Sequence, residues 1–173
     1  CTQVLIDHFP VDCVINIGCA GAIYKDLNIG DVVVSTIALQ HDMDTSVFGD
    51  PIGTIPRMDE SFFKADKMLI DLAVKAGEAL EGHKVFTGPV ASGDRFVSTM
   101  EEKNKIWSHF KAYCAEMEGG AVAHVCYLNK IPFVIIRSIS DKADEKADMS
   151  YEEFLHIAAK NSSIILENML KNI

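Results

Sequence analysis

The chain has 173 residues, the size of one domain, and 49% hydrophobic with 24% charged residues is an ordinary balance for a globular protein. Its net charge of −9 repels nucleic-acid phosphates and anionic membrane surfaces, which argues against both as partners. It holds no apolar run of about 18 residues, as a transmembrane helix needs, and Cys1 to His8 lack the basic start and long apolar stretch of a signal peptide.

Val4, Leu5 and Ile6, with His8 and Phe9, read as the end of an amphipathic helix feeding a first strand. The chain enters at Cys1 in mid-pattern, so further residues are expected upstream. Val11 to Ile17 reads as a strand, closed by a small-residue loop, Gly18-Cys19-Ala20-Gly21. Ile29-Gly30-Asp31 reads as a turn, and Val32 to Leu39 as a second strand rich in β-branched residues. Gln40 to Met58, with Gly49, Asp50, Pro51, Gly53 and Pro56, reads as a long loop; such loops in a compact domain are usually functional or form an interface.

Ser61 to Leu80 has helical spacing, with Phe62, Met68, Leu69, Leu72 and Ala76 on the expected buried side. Val85 to Ala91 reads as a strand ended by Ser92-Gly93-Asp94. Ser98 and Glu101 form a capping-box pattern opening a short helix through Trp107 and Phe110. A short strand, Ala112 to Met117, and a helix, Glu118 to Leu128, follow. Pro132 to Ser140 reads as a fully buried strand that delivers Ser140 and Asp141 to its carboxyl end. Ser150 and Glu153 form a second capping box, opening a long helix to about Leu170. Strands alternating with helices, without repeat or linker, predict one layered α/β domain over residues 1–173.

In open α/β sheets ligands bind beyond the carboxyl ends of strands. Four such ends carry small or polar groups: Gly18-Cys19-Ala20-Gly21, Ser92-Gly93-Asp94, Glu116-Met117-Glu118-Gly119-Gly120 and Ser140-Asp141. Broadly parallel strands would bring them to one rim. Asp141 reads either as a turn cap or as an acid working at that rim. Glu118, where a strand gives way to a helix, reads either as a partner of the helix dipole or as a bidentate acceptor for two vicinal hydroxyls. His41, Asp42 and Asp44 have no further Cys or His nearby and fit a hydrogen-bonded loop better than a metal site. Cys19 has no flanking base to activate it and reads as a packed thiol. The five cysteines, without C-x-x-C spacing, suit free thiols in a reducing cytoplasm.

The ordered set Asn16-Ile17-Gly18-Cys19-Ala20-Gly21, Gly30-Asp31-Val32-Val33-Val34-Ser35, Ser92-Gly93-Asp94-Arg95-Phe96, Glu116-Met117-Glu118, Ala123-His124-Val125-Cys126 and Arg137-Ser138-Ile139-Ser140-Asp141 resembles the 5′-methylthioadenosine/S-adenosylhomocysteine nucleosidases of the purine nucleoside phosphorylase superfamily. The start of the last helix, Ser150-Tyr151-Glu152-Glu153-Phe154-Leu155, matches too. The resemblance implies a three-layer αβα sandwich around a central mixed, twisted sheet, lacking the family's N-terminal strands. It implies that Asp141 protonates N7 of adenine, with Ser140 positioning it. Phe96 would stack on adenine and the Val97 backbone would bond the base edge. Met117 would pack on the ribose, Glu118 bind its hydroxyls, and Arg137 lie near Glu118 and the attacking water. Cys19, Ala20 and Gly21 would line the pocket and Tyr151 border it. Phe48 and Pro56 would reach across a homodimer interface to the partner's 5′-alkylthio pocket. The family's water-activating glutamate belongs to a segment before the Cys1 position, and many relatives carry serine where Cys19 stands.

The expected reaction is hydrolysis of an N-ribosidic bond of an adenine thionucleoside, without metal or cofactor. A related nucleosidase acting on aminodeoxyfutalosine or 5′-deoxyadenosine shares the same base and ribose sites. A phosphorylase would need basic residues for phosphate, and Val14-Ile15-Asn16-Ile17-Gly18 has none. A non-catalytic binding relative would have no use for Asp141 and Glu118 together.

Overall fold

Register against a neighbour sets where each strand of this protein begins and ends. The computed structural model describes residues 1–144 and 147–173, without the side chains of residues 148–150. A short helix, α1 (Thr2–His8), precedes two long strands, β1 (Val14–Ala22) and β2 (Val32–Gln40). Next come β3 (Phe62–Lys64), α2 (Lys67–Ala76), β4 (Val85–Ser92) and α3 (Met100–Phe110). The chain finishes with β5 (Cys114–Glu116), α4 (Gly119–Asn129), β6 (Phe133–Asp141) and α5 (Ala147–Leu170). None of the described helices is long and apolar enough to cross a membrane.

The strands form a mixed sheet in the order β3-β2-β4-β5-β1-β6, and β6 pairs again with β2. Pairing is parallel along β2-β4-β5 and between β1 and β6, and antiparallel where β5 meets β1 and where β6 meets β2. The twisted sheet therefore closes on itself, with β3 added at its edge. All nine residues of β6 are buried.

Alternation sorts these strands between two apolar layers. Val32 and Val34 of β2, with Val134 and Ile136 of β6, meet Leu69, Ala73 and Ala76 of α2 and Ile165 and Met169 of α5. The intervening Val33, Phe133 and Ile135 face the opposite layer with Ala123 and Cys126 of α4. Strands buried on both faces read as unbroken apolar runs, as Val32-Val33-Val34 and Phe133-Val134-Ile135-Ile136 do. Ile106 of α3 packs with Ala91, Ala115 and Ala143. The result is the expected three-layer α/β/α arrangement around a mixed, twisted sheet.

Several local expectations are corrected. β1 starts at Val14, opposite Phe133, and continues through Gly18-Cys19-Ala20-Gly21, which is strand and not loop, with a shift of register between Ala20 and Gly21. The small residues there make room for side chains of β6. A methyl group on Gly18 would sit 3.3 Å from the Arg137 guanidinium, and one on Gly21 would sit 2.7 Å from Asp141 Oδ1. The helix expected over Ser61–Leu80 begins at Lys67, because Phe62–Lys64 pairs antiparallel with β2. Asp66 caps it, accepting the Leu69 N–H at 3.0 Å. Its buried face is Leu69, Ala73 and Ala76, while Phe62 and Met68 are exposed. The capping box of α3 is Thr99 with Glu102, one residue beyond Ser98 and Glu101: Thr99 Oγ1 accepts the Glu102 N–H at 3.3 Å and donates to Glu102 Oε2 at 3.0 Å. Helix α5 begins at Ala147, so Ser150 lies inside its first turn and not at its cap. The Ser150 side chain, and with it the expected capping bond, lies outside the described residues.

Candidate active site

The ends of β1, β4, β5 and β6 meet at one rim around a cavity of about 370 Å³, a size typical of small-molecule sites. They converge although their directions differ, because β5 crosses the end of β1 with Ala115 opposite Gly21. β1 contributes Cys19, Ala20 and Gly21, and the turn after β4 contributes Arg95, Phe96 and Val97. Glu116, Met117 and Glu118 follow from β5, Ser140 and Asp141 from β6, and Tyr151 and Glu152 from α5.

Asp141 ends the wholly buried strand β6 and is itself buried. Ser140 donates its hydroxyl to Asp141 Oδ2 at 2.9 Å, and the Ala143 N–H donates to Oδ1 at 2.8 Å. Burial is the largest influence on the Asp141 carboxyl and pushes its pKa up, against these two hydrogen bonds, which pull it down; Asp144 adds to the rise and Lys103 opposes it. A buried carboxyl held toward its protonated form can give a proton to a ligand in the cavity.

Glu118 occupies the N-cap position of α4, yet its side chain makes no capping hydrogen bond. Glu116 and Ser92 cap the helix instead. Glu116 Oε2 accepts the N–H of Glu118 at 3.2 Å and of Gly119 at 2.7 Å, and Ser92 Oγ accepts the N–H of Gly120 at 2.5 Å. Three of the orphan donors of the helix start are thereby satisfied, and the Glu118 carboxylate, 69% exposed, stays open to the cavity.

Beneath it lies a buried ion pair. The side chains of Arg137 and Glu116 are each 1% exposed and meet at 2.5 Å. Arg137 Nε also donates to Glu116 Oε2 at 3.0 Å. Its Nη1 donates to the carbonyls of Asn16 and Ile136 at 3.3 Å and 3.1 Å, and its Nη2 to Asn16 Oδ1 at 2.6 Å. Ser92 donates its hydroxyl to Glu116 Oε1. Every guanidinium N–H thus has an acceptor inside the protein. Arg137 lies 3.7 Å from Glu118 Oε2, close enough for its charge to act on that carboxylate.

The Phe96 ring stands edge-on to Tyr151, with centroids 5.9 Å apart. The Cys19 thiol donates to the Tyr151 hydroxyl at 3.9 Å, and this neighbour is the main influence that pushes the Tyr151 pKa up. Val97 is buried and Met117 half-exposed. Phe48 and Pro56 lie outside this cavity: Phe48, in a 3₁₀ turn over Ser46–Phe48, is 85% exposed, and Pro56 is exposed as well. Asp42 accepts the Asp94 N–H at 2.8 Å and Asp44 the Ser46 N–H at 2.9 Å, so both carboxylates brace the loop. Glu116, Ser92 and Asn16 stand in the motifs read from the sequence, which assign them no role of their own. The available signal was a polar side chain set in an apolar strand run, as Asn16 stands in Val14-Ile15-Asn16-Ile17, since a buried polar group requires a partner.

The sequence pattern of the Phosphorylase superfamily matches residues 1–171. The 5′-methylthioadenosine/S-adenosylhomocysteine nucleosidase of Psychromonas ingrahamii is 42% identical over 99% of this chain and 74% of its own length. A crystal structure of the enzyme of that name from Neisseria meningitidis, in complex with methylthio-immucillin-A, superposes with a TM-score of 0.94 at 43% identity, covering 99% of this chain and 74% of that one. Futalosine hydrolase of Helicobacter pylori superposes with a TM-score of 0.93 at 38% identity, covering 99% of this chain and 73% of its own.

Removing one member of a buried ion pair strands the other, at a cost of about 3–5 kcal/mol. Arg137→Met is expected to destabilise the fold by that amount in urea titration. The double variant Arg137→Met/Glu116→Gln is expected to lose less than the sum of the two single losses. Additive losses would mean that the two side chains do not depend on each other.

Proposed function

The chain belongs to the phosphorylase superfamily and, within it, to the 5′-methylthioadenosine/S-adenosylhomocysteine nucleosidases, and we propose that it hydrolyses the N-ribosidic bond of those two nucleosides, releasing adenine and the 5-thioribose product. The observation that carries the mechanism is a buried acid and an open carboxylate facing one cavity, Asp141 at the end of β6 and Glu118 at the start of α4.

Breaking the bond requires that adenine leave as a neutral base and that the sugar tolerate positive charge. Asp141 supplies the proton at N7, with Ser140 fixing its carboxyl. General acid catalysis of this kind contributes about 10²–10⁴-fold. Glu118 accepts the ribose hydroxyls, and its charge favours the cationic transition state over the neutral ground state. Phe96 stacks on the base, the Val97 backbone bonds its edge, and Met117 packs on the sugar. Cys19, Ala20, Gly21 and Tyr151 shape the remaining wall. Arg137 acts from below, its donors already committed to Glu116, Asn16 and Ile136.

Electrostatics favour water over phosphate as the acceptor. The charged groups of the lining are Glu118 and Glu152 against Arg95, since Glu116 is neutralised by Arg137 and Asp141 is pushed toward its protonated form, and Arg95 is paired with Glu102 at 2.8 Å. Such a cavity suits a cationic sugar and repels a phosphate dianion. The similarity to futalosine hydrolase supports a second reading, in which the same acid and ribose sites serve a nucleoside with a different 5′ group. Product analysis with methylthioadenosine, S-adenosylhomocysteine and an aminodeoxyfutalosine-type nucleoside, with and without phosphate, tests both readings. Free thioribose at a phosphate-independent rate is expected; a sugar 1-phosphate would overturn hydrolysis, and cleavage of the third substrate alone would favour the second reading.

Because the acid must be protonated, turnover is expected to fall as pH rises through the raised pKa of Asp141. Asp141→Asn should remove that alkaline limb and lower turnover about 10²-fold or more; retention of more than about a tenth of wild-type turnover would remove Asp141 from the acid's role.

The 40–58 loop supports assembly as a homodimer. Val47 and Phe48 are each 85% exposed, and adjacent exposed apolar side chains mark contact surfaces. In this reading Phe48 and Pro56 complete the neighbour's 5′-alkylthio pocket. Phe48→Ala is then expected to weaken alkylthio nucleosides while leaving adenine affinity unchanged. A monomer in sedimentation at micromolar concentration, with undiminished affinity for a 5′-alkylthio ligand, would contradict it.

A further inference from the structure

The turn that carries Asp141 is held from outside the cavity. The Ala143 N–H donates to Asp141 Oδ1, and Ala143, fully buried, has a φ of +49°. A residue with a Cβ is strained in that left-handed conformation and keeps it only where its surroundings over-determine it. Two ammonium groups act on the residue between. Lys103, reaching from α3, donates to the Lys142 carbonyl at 2.5 Å. The Lys142 ammonium reaches the opposite way, to the Leu27 carbonyl and, at 3.4 Å, to Asn28 Oδ1. Ala143 is seated in the apolar cluster that includes Ile106 of the same helix α3.

We propose that Lys103 is a positioning residue for the acid: its ammonium pins the Lys142 carbonyl, and so holds the left-handed turn whose Ala143 N–H orients the Asp141 carboxyl at the cavity wall. This rests on the reading of Asp141 as the general acid. The charge of Lys103 has a second effect. Asp141 is faced by the Ser140 hydroxyl and Ala143 N–H on its own segment, by Lys103 from α3, by Asp144 beyond the turn and by Tyr151 from α5. Lys103 favours the carboxylate form, while burial and Asp144 favour the acid form. Lys103 itself is half-buried, with its pKa pushed down by desolvation and by the nearby Lys142, and back up by Asp144 and Asp141. The ammonium therefore fixes the acid in place and keeps its pKa from rising further.

Lys103→Met keeps the aliphatic stem and removes the ammonium. Misplacing a reacting group by about 1 Å costs up to roughly 10²-fold in rate, so kcat is expected to fall about 10- to 100-fold with KM nearly unchanged. The alkaline limb of kcat should move to higher pH, since the lost cation had favoured the ionised form. Exchange of the Ala143 amide hydrogen should become faster. Lys103→Arg should recover most of kcat, and Lys103→Gln, which keeps a donor without charge, should show a smaller loss of kcat with the same shift of the limb. An unchanged kcat and an unmoved limb in Lys103→Met or Lys103→Gln would overturn the proposal. So would a loss shared by KM with the limb in place, which is the mark of a general structural defect. Asp141→Asn run alongside separates the two levels. An active Asp141→Asn overturns the acid's role itself, whereas an inactive one beside an unaffected Lys103→Met overturns only the role of the lysine.

Discussion

The buried pair of Arg137 and Glu116 is the constraint on which the rim depends. A guanidinium without water is tolerated only when its donors are all answered. Here a carboxylate, two backbone carbonyls and the Asn16 amide answer them. The acceptors lie on three elements: β5 through Glu116, β1 through Asn16, and β6, the strand of Arg137 itself, through Ile136. Ser92 brings in β4 through its bond to Glu116. Four strands that differ in direction are thereby locked in register where the cavity opens.

The pair also divides labour between two glutamates one residue apart. Glu116 is spent on structure, neutralising the arginine and accepting the first N–H groups of α4. Glu118 is released from capping and stays exposed to the cavity, with the Arg137 charge 3.7 Å away. On the far side Asp141 sits in the opposite electrostatic setting, shielded from water and pushed toward its protonated form. Two carboxyl groups on one cavity thus differ in environment, one exposed beside a cation and one buried and able to hold a proton. Cleavage of an N-glycosidic bond makes those two demands, charge for the sugar and a proton for the base.

Much of this was legible in the sequence. Strands buried on both faces announce themselves as apolar runs, so Val32-Val33-Val34 and Phe133-Val134-Ile135-Ile136 were readable, and with them the position of Asp141 at a strand end. The rim itself was legible as four strand ends with small or polar residues. What was not legible depends on pairing across distance. Gly18 to Gly21 looks like a loop until Arg137 and Asp141 are seen to need the space above it. Phe62-Phe63-Lys64 fits a helical pattern, and only its partner β2 makes it a strand. Glu116 and Glu118 are indistinguishable as residues; the buried arginine decides which one is consumed.

A crystal structure of the chain with a nonhydrolysable adenine thionucleoside analogue tests the division of roles between Asp141 and Glu118 most directly. An Asp141 oxygen is expected within hydrogen-bond distance of the base N7 position, with the Glu118 carboxylate on both sugar hydroxyls. The bonds of Arg137 to Glu116 and Asn16 are expected to remain unchanged. A ligand bound with Glu118 turned to solvent, or with Arg137 released from Glu116 to contact the sugar directly, would contradict that division.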